Sequence, residues 1–214
     1  VMLPRPALPG GTVAVIIDFE TKLPSSIRRT GFTGDFYFVA QWFPKFGVYE
    51  PAREGETGRG AWNCHQFHAH SEFYSNHSVY DVKITLPADH VTGSCGKLIS
   101  EKAEGELKTQ VFRAEDIVDF AWTAWPGYTV HKDKWNHIEI TLLVPGARTE
   151  QLERHFTAVK NALEYLTANV GPYPWDYMTI VDPPLSGSGA SGMEYTTLFT
   201  SQSSDVMPEF VNLP

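Results

Sequence analysis

Apolar and polar side chains alternate in short stretches of this chain between Gly11 and Pro145. Alternation with a period of two places the apolar side chains on one face of a β-strand. The stretches with this pattern are residues 13–19, 36–39, 79–86, 116–122 and 135–143. Turn residues at 93–96 and 126–127 separate them, and the glycine-rich and charged residues 50–62 predict a long exposed loop. Since no helical pattern interrupts these strands, we predict an antiparallel β-saddle or sandwich.

The pattern changes once, near Gly146. The apolar residues then fall at steps of three and four, at Leu152, Phe156, Val159, Leu163, Leu166 and Val170. This spacing predicts an amphipathic helix over about residues 149–170, with Thr149 as its N-cap and Gly171 as its terminator. Strands are predicted again at 177–181 and 194–200, around a Gly/Ser loop. The predicted fold is therefore mostly β, with a β-domain at residues 1–146 and the beginning of an α+β domain at 147–214.

Composition narrows the classes of partner. The 25 acidic and 17 basic residues give a net charge of −8, which disfavours binding of nucleic acid. The longest wholly apolar run, residues 13–17, is too short to span a bilayer, so we predict no membrane segment. Cys64 and Cys95 are too few for a disulfide framework; they could pair, and free thiols are the default expectation.

The ends of the sequence predict a longer polypeptide. The chain begins at Val1 without a signal-peptide pattern, and it ends in an apolar run at Pro214. Both ends are expected to be cuts, and a trimmed small protein is the alternative.

Ser191-Gly192-Met193-Glu194-Tyr195 is the segment with the clearest chemistry. A carboxylate at Glu194 can counter the ammonium group at the amino end of a peptide. A glycine at position 192 lets a peptide backbone approach without a Cβ in its way, and a strand edge can bind that backbone through hydrogen bonds. The alternative is a loop glycine and a surface glutamate beside a core methionine.

The histidines near residue 68 and the tryptophans are two further candidate binding groups. His65, His68 and His70 lie beside Cys64 and Glu72, but their spacing matches no established zinc pattern. We expect a structured loop with hydrogen-bonded histidines, and a metal site is the weaker alternative. The six tryptophans suggest carbohydrate binding, yet Trp122 and Trp135 lie within alternating stretches, where packing is the commoner role.

Several of these segments resemble a known family when taken in order. Pro172-Tyr173-Pro174, then 178–183, the Gly/Ser loop and Gly192-Met193-Glu194 resemble the gluzincin zinc aminopeptidases, the alanyl, leucyl and puromycin-sensitive type. Residues 38–44 resemble the strand that carries the pocket glutamine of that family, which would be Gln41. Residues 80–87 and 119–124 are similar to its amino-terminal β-domain.

The resemblance implies an architecture and roles for four residues. It implies an amino-terminal β-saddle followed by a thermolysin-like catalytic domain. Glu194 would bind the free α-amine of a peptide substrate, the backbone of Gly192 and Met193 would lie along the peptide, and Gln41 would help to hold the amine.

The resemblance also implies a zinc ion in the full-length hydrolase, held by a His-Glu-x-x-His motif. The 214 residues contain no such motif. We therefore expect a fragment of a metallopeptidase that has no catalytic residues and no metal, is inactive alone, and has a peptide and the rest of its own catalytic domain as partners. The alternative is a non-catalytic β-sandwich interaction module or an inactive peptidase homologue.

Overall fold

The computed structural model describes residues 5–53, 55, 58–66, 68 and 70–203. The described residues are mostly β, with antiparallel sheets and one helix near the C-terminus, which confirms the predicted fold class. The strands of the described residues are β1 Gly31–Thr33, β2 Phe36–Val39, β3 Val48–Glu50, β4 Ala61–Asn63, β5 Ser78–Pro87, β6 Val91–Ser94, β7 Lys97–Glu104, β8 Leu107–Ile117, β9 Trp122–Trp125, β10 Tyr128–Trp135, β11 Ile138–Pro145, β12 Tyr177–Val181, β13 Glu194–Tyr195 and β14 Leu198–Thr200. The helix α1 spans Leu152–Asn169, and 3₁₀ turns span Gly146–Gln151 and Leu185–Ala190.

The strands form four sheets. Three are antiparallel, with strand orders β1-β2-β9-β6, β5-β8-β7 and β3-β4. The fourth has the order β10-β11-β12-β14-β13, and its pairs β11–β12 and β12–β14 are parallel. A parallel pair needs a crossover connection, and α1 forms part of the crossover between β11 and β12. This sheet is continuous across residue 146, so a domain boundary drawn there would cut it; the two-domain division stays a prediction.

The main hydrophobic core is built from side chains of the larger sheets. Its fully buried aromatic members are Phe36, Phe38 and Phe120, and strands β5, β8 and β9 contribute to the same cluster. Leu143 and Val181 belong to it as well, so the mixed sheet packs one face against the antiparallel sheets. The fold thus places Tyr195 of β13 against Phe38 of β2.

A second core lies between α1 and the other face of the mixed sheet. It consists of alternate residues of β11 with Val159 and Leu163 of the helix and Ile180 of β12. The helix is 18 residues long. Within the described ranges, no helix is both long and apolar enough to cross a bilayer.

The predicted helix is correct in position and only partly correct in detail. It begins at Leu152, three residues later than predicted, and Thr149 lies inside the preceding 3₁₀ turn and is not the N-cap. Leu166 and Val170 are 49% and 82% exposed, because the second core ends near Leu163. The predicted terminator is confirmed: Gly171 has φ 149° and its N–H donates to the carbonyl of Leu166 at 3.0 Å.

The predicted strand at residues 13–19 is wrong. The segment forms no strand, and Ile16 is 93% exposed. A strand requires a neighbouring strand to accept and donate its backbone hydrogen bonds, and none of the described residues pairs with this segment. The alternating pattern is typical of a strand, but no described strand lies beside this segment to pair with it.

Two other predicted strands contain turns. The stretch 116–122 includes the end of β8 and the start of β9, and Asp116 has φ 56°. The stretch 135–143 includes a hairpin turn after Trp135, where Asn136 has φ 50°. Asparagine and aspartate adopt positive φ more readily than most residues. Asn136 therefore gave a sequence signal for the hairpin turn, whereas Asp116 lies within β8, at an irregularity in the pairing of β8 with β5.

Two further predicted segments have different bounds in the structure. The loop predicted at 50–62 is flanked by the paired strands β3 and β4, since Glu50 lies opposite Ala61. The strand predicted at 194–200 is a hairpin, because the chain turns at residues 196–197 and β13 pairs with β14. Cys64 and Cys95 are both free, as expected.

Candidate functional site

The segment around Glu194 is a strand edge with a fixed backbone. Gly192 adopts φ 71°, a left-handed conformation that glycine tolerates best. A Cβ placed on Gly192 would meet no atom within 4 Å, so the space above this residue is open. β13 is the last strand of the mixed sheet, which leaves its outer edge unpaired within the described part of the chain.

Thr200 holds this segment in place. The N–H of Met193 donates to Thr200 Oγ1 at 3.0 Å, and the N–H of Gly192 donates to the carbonyl of Thr200 at 3.1 Å. Thr200 in turn donates its hydroxyl to the carbonyl of Ala190 at 2.6 Å and its N–H to the carbonyl of Met193 at 2.9 Å. The backbone of residues 190–193 is therefore set by a buried threonine on the neighbouring strand.

The Glu194 side chain is exposed and makes no ion pair with any described residue. Arg29 is a cation within electrostatic range, but its guanidinium binds Glu72 at 2.8 Å. The hydrogen bond to Glu72 raises the pKa of Arg29 above its ordinary value, and the charge of Glu194 adds to this effect. Tyr195, which follows Glu194, is buried against Phe38 with 5.5 Å between the ring centroids.

Gln41 follows β2 and has an unusual backbone, with φ 55°. Its N–H donates to Asp119 Oδ2 at 3.0 Å, and its side-chain oxygen accepts from Lys45 Nζ at 2.5 Å. Lys45 also forms an ion pair with Asp119 Oδ1 at 2.7 Å. Asp119 is only 3% exposed, so a buried carboxylate fixes both the backbone and, through Lys45, the side chain of Gln41.

Gln41 lines a cavity of about 200 Å³ together with the aromatic residues Phe43, Phe46, Phe73 and Tyr74. Glu194 does not line this cavity. The structure therefore places Gln41 and Glu194 on neighbouring elements, and it does not bring them into one cavity.

The histidine segment is held by local hydrogen bonds. His65 Nε2 lies 2.6 Å from Ser71 Oγ, and the N–H of His70 lies 3.4 Å from His68 Nδ1. Among the described residues, no group of three His, Cys, Asp or Glu side chains is placed to hold a metal ion. The described side chains thus do not fit a zinc ion.

A second polar cluster is buried where α1 meets the ends of β12 and β14. Asp182 is fully buried and accepts from Arg148 Nη1 at 3.1 Å, from the N–H of Ser203 at 3.0 Å and from Ser203 Oγ at 2.6 Å. His155 Nε2 lies 3.0 Å from Ser203 Oγ and 3.9 Å from Asp182 Oδ2. Although the residue types match a hydrolase triad, the aspartate binds the serine directly instead of orienting the histidine. The cluster is a structural link between the helix and the sheet.

This cluster predicts a dependence of stability on pH. Burial lowers the pKa of His155, an effect that Asp182 opposes and Arg154 reinforces. A histidine that is neutral when folded binds more protons when unfolded. The stability it confers is therefore present above the unfolded pKa of about 6.5 and is lost as the pH falls through the lower folded pKa. We expect the free energy of unfolding, measured with urea, to begin to fall as the pH is lowered below about 7.5 and to continue falling below pH 6.5.

The variant His155→Gln tests whether His155 causes this dependence of stability on pH. In His155→Gln this part of the pH dependence should disappear, while the variant His137→Gln, at an exposed histidine, should retain it. An unchanged pH dependence in His155→Gln would assign the effect to other groups.

Sequence reasoning missed the residues that position the site. Gln41 is hydrogen-bonded to Asp119, 78 positions away, and to Lys45, 4 positions away. Met193 is hydrogen-bonded to Thr200, 7 positions away. Asp119 sits within an alternating stretch at a position that pattern alone assigns to a strand. The signal in the sequence was an aspartate close to aromatic residues. A carboxylate that is buried among aromatic side chains requires polar partners.

The solved structures that are similar to this chain include the following two. The first is aminopeptidase A of Legionella pneumophila in complex with aspartic acid, at 20% identity and a TM-score of 0.49, over 59% of this chain and 16% of that chain. The second is the M1 zinc metallopeptidase from Deinococcus radiodurans, at 15% identity and a TM-score of 0.42, over 52% of this chain and 27% of that chain. The chain thus spans less than a third of either protein. No protein-family model matches the sequence, and no curated protein is significantly similar to it.

Proposed function

We propose that the chain is the part of a zinc aminopeptidase that binds the amino end of a peptide substrate. Glu194 is the carboxylate that pairs with the α-ammonium group, and the backbone of Gly192 and Met193 lies along the peptide. The observation that carries the proposal is an exposed carboxylate on an edge strand that pairs with no described residue, two positions after a glycine with open space above it.

The edge of β13 supports binding of an extended peptide. An unpaired strand edge offers backbone N–H and C=O groups to a further strand. Tyr195 anchors this edge in the main core, and Thr200 fixes the backbone on the other side of Glu194. A rigid edge loses little conformational freedom when a peptide binds, which favours affinity.

Gln41 is proposed as the second contact with the substrate. Its amide oxygen is occupied by Lys45, so its NH₂ group is the part available to a carbonyl oxygen of the peptide. The aromatic cavity beside it would then accept a side chain of the peptide.

Hydrolysis requires residues outside those described. Zinc, where bound in a complete protein, supplies a Lewis acid and an activated water. The described residues of this chain orient the substrate and do not ligate the metal.

The test is a charge-neutralising variant, Glu194→Gln, in the complete polypeptide that contains this sequence. We expect kcat/KM for peptides with a free amine to fall about ten- to a hundredfold, because an ionic hydrogen bond is lost. Glu164→Gln, at an exposed position on α1, is the matched control and should leave the rate unchanged. Stability should be unaffected in both variants, since neither side chain is buried.

Measurements of activity and of peptide binding distinguish an enzyme from a binding module. The exposure of Glu194 outside the cavity lined by Gln41 suits a module that only binds peptide ends. If the complete polypeptide has no peptidase activity, yet the 214-residue chain binds free-amine peptides and not N-acetylated ones, the module is correct. Equal binding of both peptides would remove Glu194 from the site.

A further inference from the structure

We propose that Glu72 is a positioning residue of the amine site: it holds Arg29 so that the carboxylate of Glu194 remains free for the ammonium group of a peptide. Arg29 binds Glu72 through two donors, with Nη2 2.8 Å and Nε 3.2 Å from Glu72 Oε1. The inference rests on the proposed function and adds to it how the charge at that site is controlled.

The turn that carries Arg29 packs against the segment that carries Glu194. A Cβ placed on Gly189 would lie 2.1 Å from the carbonyl oxygen of Ile27, so the two backbones are in direct contact there. The hydroxyl of Tyr195 donates to the carbonyl of Arg29 at 3.5 Å, and the carboxylate of Glu194 acts electrostatically on the guanidinium. A cation without its own partner at this position would repel an ammonium ligand or pair with Glu194 itself.

The backbone of Arg29 is held in an unusual conformation. Its φ is 68°, and the N–H of Arg28 donates to the carbonyl of Thr30 at 3.4 Å across it. A residue other than glycine adopts positive φ at a cost in energy, and such residues are found often at functional sites. Gln41, the other proposed contact with the substrate, has φ 55°. The turn fixes the backbone of Arg29, and Glu72 fixes the position of its guanidinium.

The histidine segment fixes the backbone directly before Glu72. The N–H of Ser71 donates to the carbonyl of His68 at 3.0 Å, and the N–H of His68 donates to the carbonyl of Ser71 at 3.3 Å. His65 Nε2 lies 2.6 Å from Ser71 Oγ. These hydrogen bonds close a turn immediately before Glu72, and they set the point from which its side chain reaches Arg29.

The second cation beside the proposed site is neutralised in the same way. Lys45, which binds Gln41, forms an ion pair with Asp119 at 2.7 Å. Arg29 and Lys45 thus each have a carboxylate of their own, whereas Glu194 forms no ion pair with any described residue. The charge that remains at the site is the single negative charge of Glu194, which is complementary to one ammonium group.

The test is a titration of the 214-residue chain with trialanine that carries a fluorophore at its carboxyl end, followed by fluorescence anisotropy. In Glu72→Gln we expect the Kd of this free-amine peptide to rise about three- to fivefold, because the released Arg29 competes for Glu194 through an exposed and therefore weak ion pair. Adding Arg29→Met to Glu72→Gln should restore the original Kd, because the competing cation is gone. Loss of a merely structural contact would not be repaired by removing its second partner.

Two matched variants control for charge and for loss of a surface ion pair. Glu72→Gln combined with Arg28→Met, at the adjacent exposed arginine, should keep the weakened binding. Glu104→Gln removes the carboxylate of the exposed ion pair with Lys102 on β7 and should leave the Kd unchanged.

An unchanged Kd in Glu72→Gln, no recovery with Arg29→Met, or an equal recovery with Arg28→Met would each overturn the positioning role. The N-acetylated peptide and Glu194→Gln distinguish this result from failure of the proposed function. If the chain prefers the free-amine peptide and Glu194→Gln removes that preference, the amine site stands even where Glu72→Gln has no effect. If the chain binds both peptides equally, the amine site and the role of Glu72 are both rejected.

Discussion

Arg148→Met is expected to destabilise the protein by about 3–5 kcal/mol, because it leaves the fully buried Asp182 without its cationic partner. Arg148 is itself 7% exposed, so water cannot replace the lost hydrogen bonds. Its Nη1 also donates to the carbonyl of Pro183 at 3.4 Å. The free energy of unfolding from urea denaturation measures the loss.

A matched control distinguishes the buried pair from a general effect of arginine. Arg154→Met replaces an exposed arginine on the first turns of α1 and should change stability by less than about 0.5 kcal/mol. If both variants lose the same amount, the Arg148–Asp182 pair has no special role. The double variant Arg148→Met, Asp182→Leu should recover part of the loss, since no charge then remains buried.

Phe38→Ala is expected to cost about 3–5 kcal/mol, through the lost burial of the ring and the cavity it leaves. Phe38 is fully buried in the main core and lies against Tyr195, the residue after Glu194. The change therefore also loosens the strand that carries the proposed amine-binding carboxylate. The midpoint of urea unfolding should fall, with little change in the slope.

Phe46→Ala is the comparison for this change. Phe46 is 72% exposed, so truncation to alanine should alter stability by no more than about 0.5 kcal/mol. A loss below about 1 kcal/mol in Phe38→Ala would mean that the core closes around the missing ring. In that case Tyr195 would not depend on Phe38 for its position.

The sequence indicated which residue types form the predicted site, but it did not indicate how they are arranged in space. Gly192 and Glu194 carried a signal because a glycine and a carboxylate stand between a loop and a strand. That the edge of β13 is unpaired follows only from the strand order of the mixed sheet. The anchoring by Thr200 depends on a hairpin that the alternating pattern presented as a single strand.

A polar cavity of about 450 Å³, lined by Gln110, Lys132 and Lys134 among other residues, had no signal in the sequence. Lys132 and Lys134 are two of several lysines at alternate positions, and Gln110 is one polar residue in a strand. They line one cavity only because β8 and β10, from different sheets, face each other across a gap. Neighbouring positions along one strand do not reveal what stands opposite its face.

The sequence by itself determined the local structure of this protein: most of its strands, the position of α1 and its end at Gly171. These follow from side-chain periodicity and backbone preference, which act over a few residues. The tertiary structure alone decided that residues 13–19 pair with no described strand, that β11 and β12 are parallel, and that Asp119 holds Gln41 from 78 positions away. Strand pairing and buried charge pairs depend on which distant segments meet in the folded chain, and periodicity along the sequence does not carry that information.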